Sequence, residues 1–345
     1  MDDVEAFGAN PMGVTGARTE LRRDATSGQW VLVRNGTPRL TRDGPCRLCP
    51  GHEAQTPPEI VAYRINGQPA NSSDWLVRVI PDFAPLLQIE GDVLREGVGI
   101  FDKVSARGAS EIVIESPNHD ASWDTLLGED VERVLRMYRE RVEDLYRDRR
   151  LRAVLIVRRE ATPGAHTAHP FSRILGAPVL FDDLQRELAT AGQYFAHKQR
   201  CLYCDILQQE SRDGIRVIEQ TPRFLVYTPY GSRRPFETWV VPQSHRHRFE
   251  RISPPEMAEL ARTLQGMFRR LHAVQSGVPL EFTLHTAPNE AMQLEDTEWR
   301  TLPEDYHWHI EIVPCGPDRE TVGGLAVNSI PPEAAAKRLR DAFYT

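Results

Sequence analysis

The chain of 345 residues is long enough for two domains of about 150–200 residues each, and its 40% hydrophobic and 26% charged residues suit a globular protein that buries a core. Asp and Glu number 49 against 42 Lys and Arg, a formal charge of −7, which argues against a general nucleic-acid binder. No apolar run approaches the roughly 18 residues of a membrane span, and the opening MDDVEAFGANPMG lacks the basic and apolar segments of a secretory signal, so a soluble cytoplasmic protein with neither nucleic acid nor membrane as partner is expected.

In chain order, residues 29–33 read as a strand, and a first Cys-x-x-Cys pair follows at Cys46 and Cys49. Residues 75–80 and 111–115 read as strands, the second stopped by Ser116 and Pro117. From 129 to about 148, Val131, Leu135, Tyr138, Val142 and Leu145 recur at three and four residues, the period of an amphipathic helix. Residues 152–157 form an apolar run expected to be a buried strand, and a loop holding Gly164 leads to His166, His169 and Pro170. A helix-like stretch at 182–193 links this half to the next, placing a boundary near 180 and domains at 1–180 and 181–345. The second half repeats the order: Cys201 and Cys204, strands at 223–227 and 237–241 stopped by Pro242, a helix at 255–274, and strands at 280–285 and 307–313. An internal duplication with different loop lengths accounts for the repeat.

Each half therefore offers two thiols and two strand-end histidines: Cys46, Cys49, His119 and His169, then Cys201, Cys204, His245 and His307. His247 rivals His245, but the spacing after Pro242 favours the latter. A Cys-x-x-Cys turn places two thiolates on one ion, and a closed Cys₂His₂ set leaves no open position, so two structural zinc ions per chain are expected. Neither pair reads as the start of a helix after a strand, as a thioredoxin-like redox site requires. Cys315 stands alone, and no phosphate-binding glycine loop of the P-loop or Rossmann type is present.

The order of motifs resembles the galactose-1-phosphate uridylyltransferase family, a branch of the histidine-triad superfamily that includes ADP-glucose phosphorylase-like proteins with two metal sites. The resemblance spans nearly the whole chain. It is carried by residues 46–53 (CRLCPGHE) with 56–59 (TPPE), 75–82 (WLVRVIPD), 111–119 (EIVIESPNH), 164–174 (GAHTAHPFSRI), 284–288 (LHTAP), 306–312 (YHWHIEI) and 327–333 (VNSIPPE). It implies an α+β architecture: a duplicated histidine-triad fold, two antiparallel sheets with helices packed on them. It also implies transfer of a nucleoside monophosphate between a sugar 1-phosphate and a second phosphorylated acceptor, through a covalent nucleotidyl-histidine. In the family the first histidine of His-Pro-His binds metal and the second attacks the α-phosphorus, while the segment matching residues 77–82, with Arg78 and Asp82, contacts the nucleotide. A homodimer is compatible with the resemblance, since relatives pair through sheet surfaces.

The departures from the family pattern bear directly on chemistry. Phe171 stands at the nucleophile position, and a benzene ring cannot attack phosphorus. His166 replaces a phosphoryl-facing serine, Arg173 a glutamine and Arg158 an asparagine. Cationic gains around an anion site point to continued binding of a phosphorylated ligand, with Arg78, Asp82, Arg158 and Phe171 lining it. His166 becomes the expected nucleophile or general base, beside Arg173. His309 is a second candidate because it occupies in the second half the position of Phe171, although bacterial relatives carry His-Trp-His there too, which favours a structural or metal-proximal role for it. The resemblance also gives His285 a site-facing role. Arg233 and Arg234, in the loop 231–235, are either a phosphate contact or a solvated turn. The expected activity is nucleotidyl transfer or phosphorolysis on a nucleoside diphosphate sugar or hexose 1-phosphate, as in galactose metabolism. The alternatives are an inactive nucleotide-sugar binder and a hydrolase or single-displacement enzyme without a covalent intermediate.

Overall fold

The computed structural model describes residues 19–34, 44–161, 169–292, 300–316 and 320–342. The first half contains β1 (Thr19–Arg23), β2 (Trp30–Arg34), β3 (Val61–Arg64), β4 (Trp75–Pro81), β5 (Arg95–Val98), β6 (Phe101–Ser105), β7 (Ala109–Ile114), α1 (Gly128–Leu145), β8 (Ala153–Arg159) and β9 (Phe171–Ala177). The second contains α2 (Asp182–Lys198), α3 (Leu202–Asp213), β10 (Val217–Gln220), β11 (Phe224–Tyr227), β12 (Thr238–Pro242), α4 (Pro254–Val274), β13 (Leu280–His285), α5 (Leu302–Asp305), β14 (His309–Pro314), β15 (Glu320–Val322), β16 (Leu325–Val327) and α6 (Pro332–Asp341). Among the described residues no helix is long and apolar enough to cross a membrane.

The α+β class holds, but the two expected sheets are joined edge to edge. One ten-stranded antiparallel sheet runs β3-β4-β7-β9-β8-β13-β14-β12-β11-β10, and its two five-strand halves follow the same sequence order outward from the seam. The seam is the pairing of β8 with β13, with Arg159 opposite Glu281 and Val157 opposite Thr283. The seam strands bury the residues that face the helices (Val154, Ile156, Leu280, Phe282, Leu284), while Leu155, Val157, Glu281 and Thr283 on the other face are only partly buried. A four-stranded sheet β2-β1-β6-β5 and the hairpin β15–β16 complete the fold.

One face of the large sheet carries α1, α4 and α6 over a single core shared by both halves. The apolar stripe of α1 (Val131, Val134, Leu135, Tyr138, Val142) is buried at helical spacing. Helix α4 starts at a capping box, with Ser253 and Glu256 reciprocally bonded and Pro254 in the first turn. The strands alternate cleanly: Val77, Val79, Val154, Ile156 and Ile174 point into this core, while Ile80, Ile112 and Phe171 belong to a smaller cluster on the opposite, open face. Strand β9 crosses β7 so closely that a Cβ on Gly108 would lie 2.1 Å from the Gly176 carbonyl oxygen, which excludes any side chain at 108.

Eleven elements were not foreseen from local pattern: β1, β3, β5, β6, β9, α3, β10, α5, β15, β16 and α6. The second cysteine pair does open a helix, since Cys201 caps α3, but that helix follows α2 and not a strand.

At the far end of α4, His272 bonds Asp124 (3.0 Å) and Glu160 (2.9 Å). These carboxylates, working against burial, raise its imidazolium to about 9. The folded value exceeds that of an unfolded histidine, so the stabilisation is complete below about pH 6.5 and is lost as pH rises through the folded value. Denaturant unfolding should therefore weaken over that window by about 2 kcal/mol. The His272→Gln variant should lack this slope.

Candidate functional site

The first Cys-x-x-Cys pair sits in a tight turn, with the Cys49 amide donating to the Cys46 carbonyl (3.3 Å). His119 comes from the loop after β7, and His169 from the residue pair that leads into β9. One donor atom from each of Cys46, Cys49, His119 and His169 lies within 4.8 Å of the others. The Cys49 sulfur is 3.4 Å from His119 Nδ1 and 3.6 Å from His169 Nδ1. Tetrahedral zinc with ligands at about 2.0–2.3 Å has ligand–ligand edges of about 3.3–3.8 Å, so these separations fit it. His169 Nε2 lies 2.9 Å from the Ser116 carbonyl, the arrangement that leaves Nδ1 free for a metal. Burial holds His169 near 4, and burial with the neighbouring Cys46 pushes the Cys49 thiol up to about 11, so in metal-free protein these two are neutral and loading must release the Cys49 proton.

The second set has the same architecture. Cys201, Cys204, His245 and His307 bring donors within 4.8 Å of one another. Cys204 Sγ is 3.5 Å from His245 Nδ1 and 3.3 Å from His307 Nε2, and those nitrogens are 2.9 Å apart. His245 Nε2 faces the Pro303 carbonyl at 2.7 Å, repeating the outer hydrogen bond of His169. His247 turns away to Glu290 (2.6 Å) and is not in the cluster.

On the open face of the first half, Phe171, Arg173 and Asp82 lie together beside the first cluster. The Arg173 guanidinium lies 5.3 Å over the Phe171 ring, and its Nε donates to Asp82 Oδ2 (3.1 Å). Asp82 is buried, whereas the Arg173 side chain keeps 40% of its surface exposed, which leaves guanidinium donors free for an anion.

Two expected ligand contacts are corrected by the structure. Arg158 is opposite Ser172 in the β8–β9 ladder and so points to the helical core, not to the Phe171 face. There it donates to Glu115 (2.9 Å), pairs with Glu160 (3.4 Å), and packs on Trp123 and Phe268. Arg78 is on the open face but 1% exposed, with its three nitrogens donating to Glu59, Thr56 and Asn71. It anchors residues 56–71 over the sheet. His166 lies outside the described residues.

His309 is reached by neither solvent nor a ligand as it stands. Its ring is fully buried and stacked between Trp239 (4.6 Å) and His285 (4.7 Å), which corrects its reading as an accessible catalytic base. It belongs instead to a third cluster, Glu187, His285, His309 and Glu311, whose donors also lie within 4.8 Å of each other and could hold a cation. Glu187 and Glu311 were not singled out from the sequence. The strand alternation His307, His309, Glu311 puts all three on one face and was the available signal. Glu187 Oε1 is 3.0 Å from His285 Nδ1 and 3.7 Å from His309 Nε2, yet both nitrogens lack a hydrogen bond. Burial opposes charge on His285, but Glu187 prevails and raises it to about 9, while burial drives His309 down to about 4.

The fold is that of the uridylyltransferases. A solved uridylyltransferase superposes with a TM-score of 0.77 at 23% identity, over 94% of this chain and 98% of the other. The Arabidopsis thaliana ADP-glucose phosphorylase solved with bound ADP-glucose gives 0.71 at 23% identity, over 94% and 99%. In sequence, residues 187–329 match the galactose-1-phosphate uridyl transferase C-terminal domain. The chain is 25% identical to the Arabidopsis thaliana ADP-glucose phosphorylase, over 94% of this chain and 93% of that protein. It is 24% identical to the Thermotoga maritima galactose-1-phosphate uridylyltransferase, over 93% and 98%. In sequence and in fold, the chain is thus similar to the galactose-1-phosphate uridylyltransferases and to ADP-glucose phosphorylase along most of its length.

In metal-free protein the His285 ring should titrate near 9 by NMR. Substituting Glu187→Gln removes the carboxylate that offsets burial, and the ring should then titrate below about 6.5.

Proposed function

We propose that the protein is a nucleotidyltransferase or phosphorylase of nucleoside diphosphate sugars or hexose 1-phosphates, working from the first-half cleft without a nucleotidyl-histidine at position 171. The observation that carries this reading is the half-exposed Arg173 guanidinium, aimed by buried Asp82 and seated on Phe171 beside the first cysteine–histidine cluster. The activities named for the relatives, and the ADP-glucose bound in a structurally similar protein, support the substrate class. On this reading residues 1–180 carry the substrate site and 181–345 brace it.

Phe171 offers no lone pair, so transfer proceeds by direct attack of phosphate, a phosphorylated acceptor or water on the α-phosphorus, breaking the phosphoanhydride bond and expelling the sugar 1-phosphate. Arg173 stabilises charge on the phosphoryl oxygens as the attacked bond breaks. His166 is the base the sequence supplies in this segment, and it would take the proton of a hydroxyl or water nucleophile. Both Cys₂His₂ sets fit zinc in closed, structural coordination, and their role is to hold the loops that frame the cleft. A second reading, an inactive sugar-nucleotide binder, is favoured by one observation: Phe171 fills the nucleophile position with a ring that packs into an apolar cluster.

Incubation with a panel of nucleotide sugars and phosphorylated acceptors, followed by mass spectrometry, separates the readings. Turnover should appear and invert configuration at a chirally labelled α-phosphorus. Retention would restore a covalent intermediate, and binding without turnover would establish the binder. His166→Ala should reduce turnover by about 10²–10⁴-fold while ligand affinity stays within a few-fold.

Elemental analysis should find two zinc ions per chain. Cys49→Ser should remove one ion and lower the melting temperature, because metal binding of this kind contributes folding free energy on the order of 10 kcal/mol.

A further inference from the structure

A second cleft of about 500 Å³ opens on the second half of the sheet, under the β15–β16 hairpin. Its walls carry four arginines: Arg159 from β8, Arg186 from α2, and Arg233 with Arg234 from the loop before β12. Three of them are paired. Arg233 is locked between Glu237 (2.9 Å) and Glu311 (2.6 Å). Arg159 meets Glu281 (2.9 Å) and Arg186 meets Asp183, both with side chains 61% exposed. Arg234, although it lines the cavity, makes no side-chain hydrogen bond or ion pair with the described residues.

This distribution suits one ligand chemistry. An incoming phosphate takes the unpaired Arg234 outright and draws a second guanidinium from an exposed pair, which costs little because exposed ion pairs are weak and bonds to phosphate are charge-assisted. The carboxylates so released, Glu281 and Asp183, face the same cavity and accept hydrogen bonds from hydroxyl groups. No Phe, Tyr or Trp is among the described residues lining the cleft, and its one ring, His285, is buried with a face already stacked on His309, so a nucleobase would find no open stacking partner there. We infer that this cleft is a second ligand site, specific for a phosphorylated sugar without a base, gripped by Arg234.

The centre of the site is displaced from the first-half site, although Arg159, one register position past the Arg158–Ser172 pair, lies beside Phe171 where the two adjoin. Arg173 and Glu311 are on β9 and β14, with β8 and β13 between them; three strand spacings put them about 14 Å apart. If the direct transfer proposed above is correct, both substrates must be bound together, and this cleft is placed to hold the one without a base; that role rests on the transferase reading, whereas the binding does not.

Calorimetry on the full chain with a hexose 1-phosphate, inorganic phosphate and free hexose tests the site. The hexose 1-phosphate should bind at least tenfold more tightly than free hexose, with inorganic phosphate between them. Arg234→Ala should weaken hexose 1-phosphate binding at least tenfold, and Arg234→Lys should recover part of the loss. Loss of binding on Arg173→Ala with Arg234→Ala silent would place the ligand in the first cleft and overturn the proposal. So would the absence of binding at millimolar concentration. Arg234-dependent binding in a protein that neither binds nor turns over nucleotide sugars would sink the transferase reading alone.

Discussion

The Glu115 carboxylate is the point through which the core and the site constrain one another. It receives Trp123 Nε1 (2.8 Å), Arg158 Nε (2.9 Å), the Tyr138 hydroxyl (3.2 Å) and the Ser172 hydroxyl, from four separate segments. Its own amide donates to the Pro170 carbonyl (3.2 Å), so the strand ends that deliver His119 and His169 are held in register through the same residue. Such a buried pair gives little net stability over an apolar replacement, but losing one partner alone costs about 3–5 kcal/mol. Glu115 and Arg158 therefore have to change together or not at all. This explains how an arginine in place of the family's asparagine is accommodated without any role toward a ligand.

The duplication places different chemistry at equivalent register positions. Phe171 and His309 both follow a cluster histidine by two residues and face the same side of the sheet, and Arg173 and Glu311 follow them by two more. The first half has an apolar ring with an accessible cation, aimed by Asp82; the second has a buried imidazole with a buried carboxylate, neutralised by Arg233. The sign of charge at the matching position is reversed. A shared backbone thus supports two different arrangements at one register position, a rim arginine in the first half and a buried acid matched by Arg233 in the second.

The cysteine–histidine clusters were legible in the sequence because their signals are local: a Cys-x-x-Cys turn, and histidines at strand ends beside prolines. The direction of Arg158 was legible in principle, since Ile156 and Arg158 share a face two residues apart, but its assignment to the ligand followed the family's pattern and not the strand's parity. Strand β9 was hidden because its seven residues mix charged, polar and apolar types and begin at a proline. Helix α3 was hidden by its polar composition. The fusion of the two sheets had no local signal at all, because it depends on pairing Val157 with Thr283, more than a hundred residues away.

That fusion has a mechanical consequence. With β8 and β13 sharing one ladder and α1 packed on α4 above it, neither half can swing as a rigid lid, so adjustment of either cleft is left to the loops around the sheet. Cutting the chain between its halves would expose a long, apolar, unprotected strand edge on each fragment. Edges of that kind recruit other strands and aggregate. Evolution could duplicate this unit, but having joined the copies through their inner strands it gave up the means to separate them again.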